Sequence, residues 1–147
     1  MKTIHKSIIL FGLLSLLAGA QISNFSSGGR KQAKNPDPIT AFKEIESGIK
    51  HADPAGFSKY LSENSYLSLP NGVTGYFSSN QSFYILKDFF KTFIPVTFSF
   101  NLPAGSKETV ATGALVFESK GKRENATVYI ALTYEGTTWR ITQFMVN

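Results

Sequence analysis

From Pro38 onward the apolar positions fall first into helical and then into strand periods. Ile39, Phe42, Ile45 and Ile49 recur at three- and four-residue spacing, while Lys43, Glu46 and Lys50 take the other side, Glu46 and Lys50 one turn apart. The spacing predicts an amphipathic helix. Asp53-Pro54 sets an N-capping acid before a proline at the first helical position, which predicts a second short helix through Phe57, Tyr60 and Leu61. Tyr66-Leu67-Ser68-Leu69 alternates and stops at Pro70-Asn71-Gly72, so a strand enters a turn there, with Gly75-Tyr76-Phe77 as its short partner. Ser78 or Ser79 caps a third helix over Gln81–Phe93. Its stripe is Phe83, Leu86, Phe90 and Phe93, and it ends before Pro95.

Everything beyond reads as strand: Val96–Asn101, Thr109–Ser119, Asn125–Tyr134 and Thr138–Val146, separated by Gly-containing turns. Closing the last hairpin at Glu135-Gly136 sets Leu132 opposite Trp139 and Ile130 opposite Ile141. Closing the preceding one at Gly121-Lys122 sets Leu115 opposite Val128 and Phe117 opposite Ala126. Both hairpins thus show their apolar residues on one face. Thr127, Tyr129, Thr133, Arg140 and Thr142 take the other. A sheet greasy on one side needs a cover, and the helices supply it. The expected fold is α+β, a curved antiparallel sheet wrapped around N-terminal helices in the order α-α-β-β-α-β-β-β-β.

Upstream of Pro38 the pattern changes. Lys2 and Lys6 precede an apolar run, Ile8 to Leu17, that is too short to span a bilayer, and Ala18-Gly19-Ala20 supplies the small residues of a cleavage site. Residues 1–20 read as an export signal cleaved after Ala20, residues 21–37 as a flexible polar leader, and residues 38–147 as one domain. The chain has no cysteine, so an exported domain must hold by packing alone, which points to a bacterial envelope or periplasmic setting. Thirteen Phe, six Tyr and one Trp can supply that core. Of the formal charge of +5, two units lie in the signal at Lys2 and Lys6. The clusters around Arg30 and Lys122 carry no interleaved aromatics, so nucleic-acid binding is not expected. Nucleophile elbows, phosphate-cradling glycine loops and zinc spacings are missing from the sequence, and no cofactor or metal is expected.

The segments Gly48-Ile49-Lys50, Tyr66-Leu67-Ser68-Leu69-Pro70, Tyr76-Phe77-Ser78-Ser79-Asn80-Gln81 and Ile85-Leu86-Lys87-Asp88-Phe89-Phe90 have an order and spacing of their own. Together with the closing Trp139-Arg140-Ile141-Thr142-Gln143-Phe144, they resemble small exported bacterial proteins of the domain-of-unknown-function family numbered forty-seven eighty-three, within the nuclear-transport-factor-two-like (cystatin-like) superfold. The resemblance covers Ile39 to Val146. It implies a cone-shaped α+β domain, often with a cavity between sheet and helix, and it implies no reaction.

Catalytic members of the superfold that the chain resembles place an Asp and a His, or an Asp and a Tyr, inside the cone. Here His51 falls at the end of the first helix, where an imidazolium favours the C-terminus, and Asp53 is already accounted for as a cap. Alternation places Gln143 on the greasy face with Trp139, Ile141 and Met145, where its amide must bond a helix end or point at a ligand. Gln143, Trp139 and Phe98 are therefore the candidate pocket, and Gly113 within its strand is read as a bend. Three functions follow. The first is a non-enzymatic exported module binding a small apolar ligand or a protein. The others are an isomerase- or dehydratase-like enzyme using His51 or Asp53, and a module homodimerising through Tyr129, Arg140 and Phe144.

Overall fold

The computed structural model describes residues 35–147; the expected signal and nearly all of the leader lie outside the described residues. Helix α1 (Ile39–Lys50) buries Ala41, Phe42, Ile45, Gly48 and Ile49, the stripe its spacing dictates. Asp37 Oδ1 accepts from the Ile39 amide, so fixed contacts begin ahead of Pro38. At the other end the amides of Ala52 and Asp53 return to the carbonyls of Ile49 and Gly48, with Ala52 left-handed at φ 55°. Asp53 then caps a 3₁₀ helix (Pro54–Tyr60) through the Ala55 amide, so the predicted capping holds, but Leu61 already belongs to a strand.

That strand is β1 (Leu61–Ser68), followed by β2 (Thr74–Phe77), α2 (Ser79–Thr92), β3 (Ile94–Phe100), β4 (Val110–Ser119), β5 (Lys122–Glu135) and β6 (Thr138–Val146). The element order is the one expected. Ser78 and Gln81 form a reciprocal capping box that starts α2. This helix turns Phe89 inward alongside Leu86 and Phe90, while Phe83 and Phe93 of the anticipated stripe are half-buried at its border. Six strands make one open, curved sheet in the order β2-β1-β6-β5-β4-β3, antiparallel throughout except where β1 runs parallel to β6.

Both C-terminal hairpins close two residues away from the expected register. Ser119 pairs Lys122 around Lys120-Gly121, whose φ values of 52° and 74° define a turn suited to twisted strands, and Glu135 pairs Thr138 around Gly136-Thr137. Leu115 therefore meets Ala126, and Leu132 meets Ile141. A two-residue slip preserves faces, so Ile130, Leu132, Trp139 and Ile141 are all buried on one side, as the pattern requires. Helices α1 and α2 cover that side, α1 against the 3₁₀ helix and β3, α2 against β1.

One departure does change faces. Leu132 pairs Ile141 but Ala131 pairs Gln143, so β6 carries one residue more than β5, and Thr142 is the bulge. Beyond it the alternation inverts: Phe144 and Val146 are buried and Gln143 is exposed. A second irregularity lies opposite, where Leu61 and Tyr66 of β1 pair Ile141 and Gln143. The extra residues are tied down by Ser65, whose hydroxyl donates to the Ile141 carbonyl at 2.8 Å and accepts from the Ser62 amide at 3.1 Å.

Gly113 serves close packing. A Cβ there would lie 2.6 Å from the Phe98 ring and 2.7 Å from the Ser99 carbonyl. Gly113→Ala should cost about 1–3 kcal/mol of unfolding free energy in a urea titration. Adding Phe98→Leu should recover only part of it, because the backbone carbonyl still obstructs. An unchanged midpoint for the single variant would show that the strands separate freely.

Candidate functional site

The residues singled out for chemistry sit at three separate places. His51 terminates α1, its Nδ1 at 2.7 Å from the Ser47 carbonyl, so that nitrogen carries the proton and donates. Asp53 spends Oδ1 on the Ala55 amide. Both are exposed and line an open cleft of about 210 Å³ with Glu44, Ser47, Gly48 and Gly56. This cleft lies outside the cone. The floor is tight: a side chain at Gly48 would collide with the Phe57 ring and come within 2.9 Å of the Asp53 carbonyl.

Beside that cleft stands a charged cluster that sequence spacing did not reveal. Glu44 Oε2 accepts from Lys59 Nζ at 2.6 Å and from the Tyr60 hydroxyl at 3.0 Å. Lys59, and then Tyr60, hold the Glu44 carboxyl below the usual carboxylate range. Burial, and then Glu44, push the Tyr60 phenol up, while the bond to Glu44 raises the Lys59 ammonium. Arg140 closes the group from the sheet, Nη1 donating to the Lys59 carbonyl at 2.6 Å. Glu44 and Tyr60 are sixteen residues apart, and the only sequence hint was an acid flanking the buried stripe of α1. The cluster fastens the 3₁₀ helix between α1 and β6; among the described residues it faces no enclosed cavity.

The candidate pocket of Gln143, Trp139 and Phe98 is not assembled. The Thr142 bulge turns Gln143 to the outer face, so its amide is solvated and needs no internal partner. Phe98 is buried against Gly113 and the edge of the Phe100 ring, 4.9 Å away between centroids. It pairs Leu115, which pairs Ala126, whereas Trp139 pairs Tyr134, eight residues further along β5. At ~3.3 Å per residue that is roughly 26 Å. The same bulge dismantles the proposed dimer trio: Phe144 is fully buried, and Arg140 is engaged with the 3₁₀ helix.

Inside the cone the space is filled. Phe42, Phe57, Phe89 and Phe144 are each under 2% exposed, with Phe57 stacked on Phe144 at 6.4 Å and Phe89 on Phe93 at 4.5 Å. Clefts beside Trp139, His51 and Phe93 open at the periphery, and a shallow one lies on the outer sheet face at Thr112, Ala114 and Thr127.

The outer sheet face has a different character. Tyr76 and Tyr66 pair across β2 and β1 with rings 5.2 Å apart. Gln143 and Met145 of β6, Thr127, Tyr129 and Ala131 of β5, and Val110, Thr112, Ala114 and Val116 of β4 continue the surface in register. Thr97 and Ser99 complete it on β3. None of these residues is charged. Charges appear at the two ends, at Arg140 and Glu135 and at the Glu118–Arg123 pair.

The model of the domain of unknown function (DUF4783) matches residues 42–147, and the chain belongs to that family. A DUF4783 family protein from Bacteroides ovatus superposes with a TM-score of 0.56 at 16% identity, over 70% of this chain and 90% of that one. A structure called "Rd1NTF2_04 with long sheet" gives 0.58 at 10% identity, over 76% and 100%. An uncharacterized cystatin fold protein from Novosphingobium aromaticivorans gives 0.51 at 7%, over 77% and 99%. None of the curated proteins matches. At these identities the likeness is one of fold, which here is nuclear-transport-factor-two-like and cystatin-like.

Since the Glu44 carboxyl is held low when folded, its contribution to stability is present above the unfolded carboxylate value of ~4.3 and lost as pH falls through the folded one. Tyr60 and Lys59, both raised, contribute below ~10 and lose that contribution as pH rises through their folded values. Glu44→Gln should lie below the unaltered chain in thermal stability above about pH 5 and converge with it towards pH 3. Parallel curves over that range would mean the carboxylate contributes nothing.

Proposed function

We propose that the protein is an exported, non-enzymatic association module, and that its uncovered sheet face pairs with a second copy of the chain. The observation that carries this reading is the missing charge on that face. Charged residues are spread over the rest of the surface, yet six strands present Tyr, Met, Val, Ala, Thr, Ser and Gln outward. Depletion of charge with aromatics and Met at the centre is the composition of an interface core. Two copies meeting there bring no like charges into direct contact.

The size is adequate. Strands ~4.8 Å apart span about 24 Å across six, and the outward run of β5 from Asn125 to Thr133 adds ~26 Å along them. The product is of the order of 600 Å² per copy, or ~1,200 Å² for a pair, the lower bound of stable interfaces. A filled interior argues against a small apolar ligand held inside the cone. Exposed His51 and Asp53 lack the water-excluding setting that acid–base chemistry uses, so the enzymatic reading has little support. Export rests on the basic, apolar and small-residue sequence of residues 1–20.

Sedimentation equilibrium of the mature chain should give a dimer at micromolar concentration. Tyr129→Glu or Met145→Lys should weaken it tenfold or more, ~1.4 kcal/mol, without lowering the melting temperature. A monomer for the unaltered chain, or a dimer indifferent to both charges, overturns the pairing; capture of a different protein on an intact face would reassign the partner. The mass of protein from an envelope fraction should correspond to a chain beginning at Gln21, and a full-length chain in the cytoplasm would refute export.

A further inference from the structure

Asn71-Gly72 is the one Asn-Gly pair in the chain, and the antiparallel strands β1 and β2 turn about it. The Gly72 amide donates to the Leu69 carbonyl at 3.0 Å and the Leu69 amide to the Val73 carbonyl at 2.9 Å. Pro70-Asn71-Gly72 is therefore a three-residue hairpin loop, with Gly72 left-handed at φ 89°. Asn71 and Gly72 are both exposed. Beyond its chain neighbours, no atom lies within 4 Å of the place a Cβ would take on Gly72, so the approach to its nitrogen is unobstructed. The Asn71 side chain is held in place, its Oδ1 accepting from the Val73 amide at 3.3 Å. Asn71 also lines an open cleft of about 550 Å³ with Lys120, Lys122, Glu124 and Phe93.

We propose that this turn is a site of spontaneous modification, at which the chain's own backbone converts Asn71 into aspartyl and isoaspartyl forms. The Gly72 nitrogen gives its proton to solvent base and attacks Asn71 Cγ. The new N–Cγ bond closes a succinimide ring, while the Cγ–Nδ2 bond breaks and Nδ2 takes up a proton to leave as ammonia. Water then opens the ring. Cleavage of the N–Cγ bond restores the backbone with an aspartate, and cleavage at the main-chain carbonyl carbon leaves the chain running through Cβ and Cγ, one methylene longer. Water is the only co-reactant, and nothing is oxidised or reduced.

Each part of the turn favours the attack. Gly72 brings no side chain to hinder it, and the Val73 N–H bonded to Oδ1 stabilises the negative charge that develops on that oxygen. Lys120 and Lys122 outnumber Glu124 on the cleft, and positive charge favours both the deprotonated amide and the oxyanion. What must open first is a single exposed hydrogen bond, from Gly72 to the Leu69 carbonyl. Elsewhere Asn64, Asn80, Asn101 and Asn125 precede residues with side chains, and Asn35 precedes a proline, which has no N–H to react. The two products differ in consequence. Aspartate keeps the loop length and sets a carboxylate on the cleft of Lys120 and Lys122, whereas the isoaspartyl link lengthens a loop whose ends are fixed and so loosens the edge strand β2. Neither outcome depends on the pairing of the outer sheet face.

The full chain, held at neutral and at mildly alkaline pH in heavy-oxygen water, is then digested and sequenced by tandem mass spectrometry. Asn71 should become acid ~10-fold or more faster than Asn64 and Asn80, gaining one heavy oxygen and reacting faster at the higher pH. An isoaspartyl-specific methyltransferase should label the aged chain but not the Asn71→Gln variant, whose amide carbon stands one bond further from the nitrogen. Conversion in the folded turn should keep pace with that in a Leu-Pro-Asn-Gly-Val peptide, and amide exchange at Leu69 should quicken in the isoaspartyl product but not in Asn71→Asp. Asn71 reacting no faster than Asn64 and Asn80, a rate indifferent to pH, or a turn lagging the peptide by ~10-fold overturns the site. Unaltered Leu69 exchange in the isoaspartyl product overturns the loosening.

Discussion

Phe144 points into the core only because β6 holds one residue more than its partner at Thr142. Without that insertion strict alternation would set Gln143 and Met145 against the helices and expose Phe144 and Val146. The bulge does two things at once. It lets Ile141 and Phe144 share the interior, where Phe57 stacks on Phe144, and it delivers Gln143 and Met145 to the outer face in line with Tyr66 and Ser68 of β1. The parallel strand β1 is adapted to this point, since Leu61 and Leu67 pair Ile141 and Phe144 with Ser65 bonded to the Ile141 carbonyl between them. Core and outer surface therefore depend on one local distortion.

The helices are held to the sheet by close approach and by single polar fastenings. Gly48 and Gly113 admit Phe57 and Phe98, so aromatic rings fill what an open cone would leave empty. Glu46 extends from α1 to accept the Phe100 amide of β3 at 2.7 Å. That amide belongs to an edge strand, and edge groups left free invite pairing with other chains. The carboxylate covers one end of the edge, and Pro95, beside the bulge in β3, brings no N–H to the other. Both devices blunt the β3 edge as a site for pairing with another strand.

Periodicity was sufficient for the helices, the strands and the greasy side of the hairpins, because these follow from local alternation and capping. Ser78 with Gln81, and Asp53 with Pro54, are signals within one turn of chain, and the structure forms both. One-turn spacing offers Glu46 to Lys50, but a long-range amide claims it. Registers slipped by two because turn geometry, rather than composition alone, decides which residues close a hairpin, and a slip of two leaves no trace in the alternation. The bulge at Thr142 was hidden for the opposite reason. It inverts the pattern after five residues of β6, and the polar Gln143 looked like a buried exception when it was the first residue of the inverted phase. The Glu44, Lys59, Tyr60 and Arg140 cluster joins three elements, and only folding brings it together.

Placement of charge ties these points to function. Ion pairs and carboxylates lie on the helical side and at the ends of the sheet, where Glu44, Glu46 and Arg140 each fasten one element to another. The central outer face carries none, although alternation there would accept a lysine or glutamate at any solvent-facing position without cost to the core. A face kept polar by Thr, Ser and Gln stays soluble, and removing it from water costs far less than desolvating ions. That combination suits a surface exposed in one state and covered in another. In the pairing proposed above, side chains would be buried on both sides of one sheet, by the helices within and by a second copy without, and no ion would have to leave water.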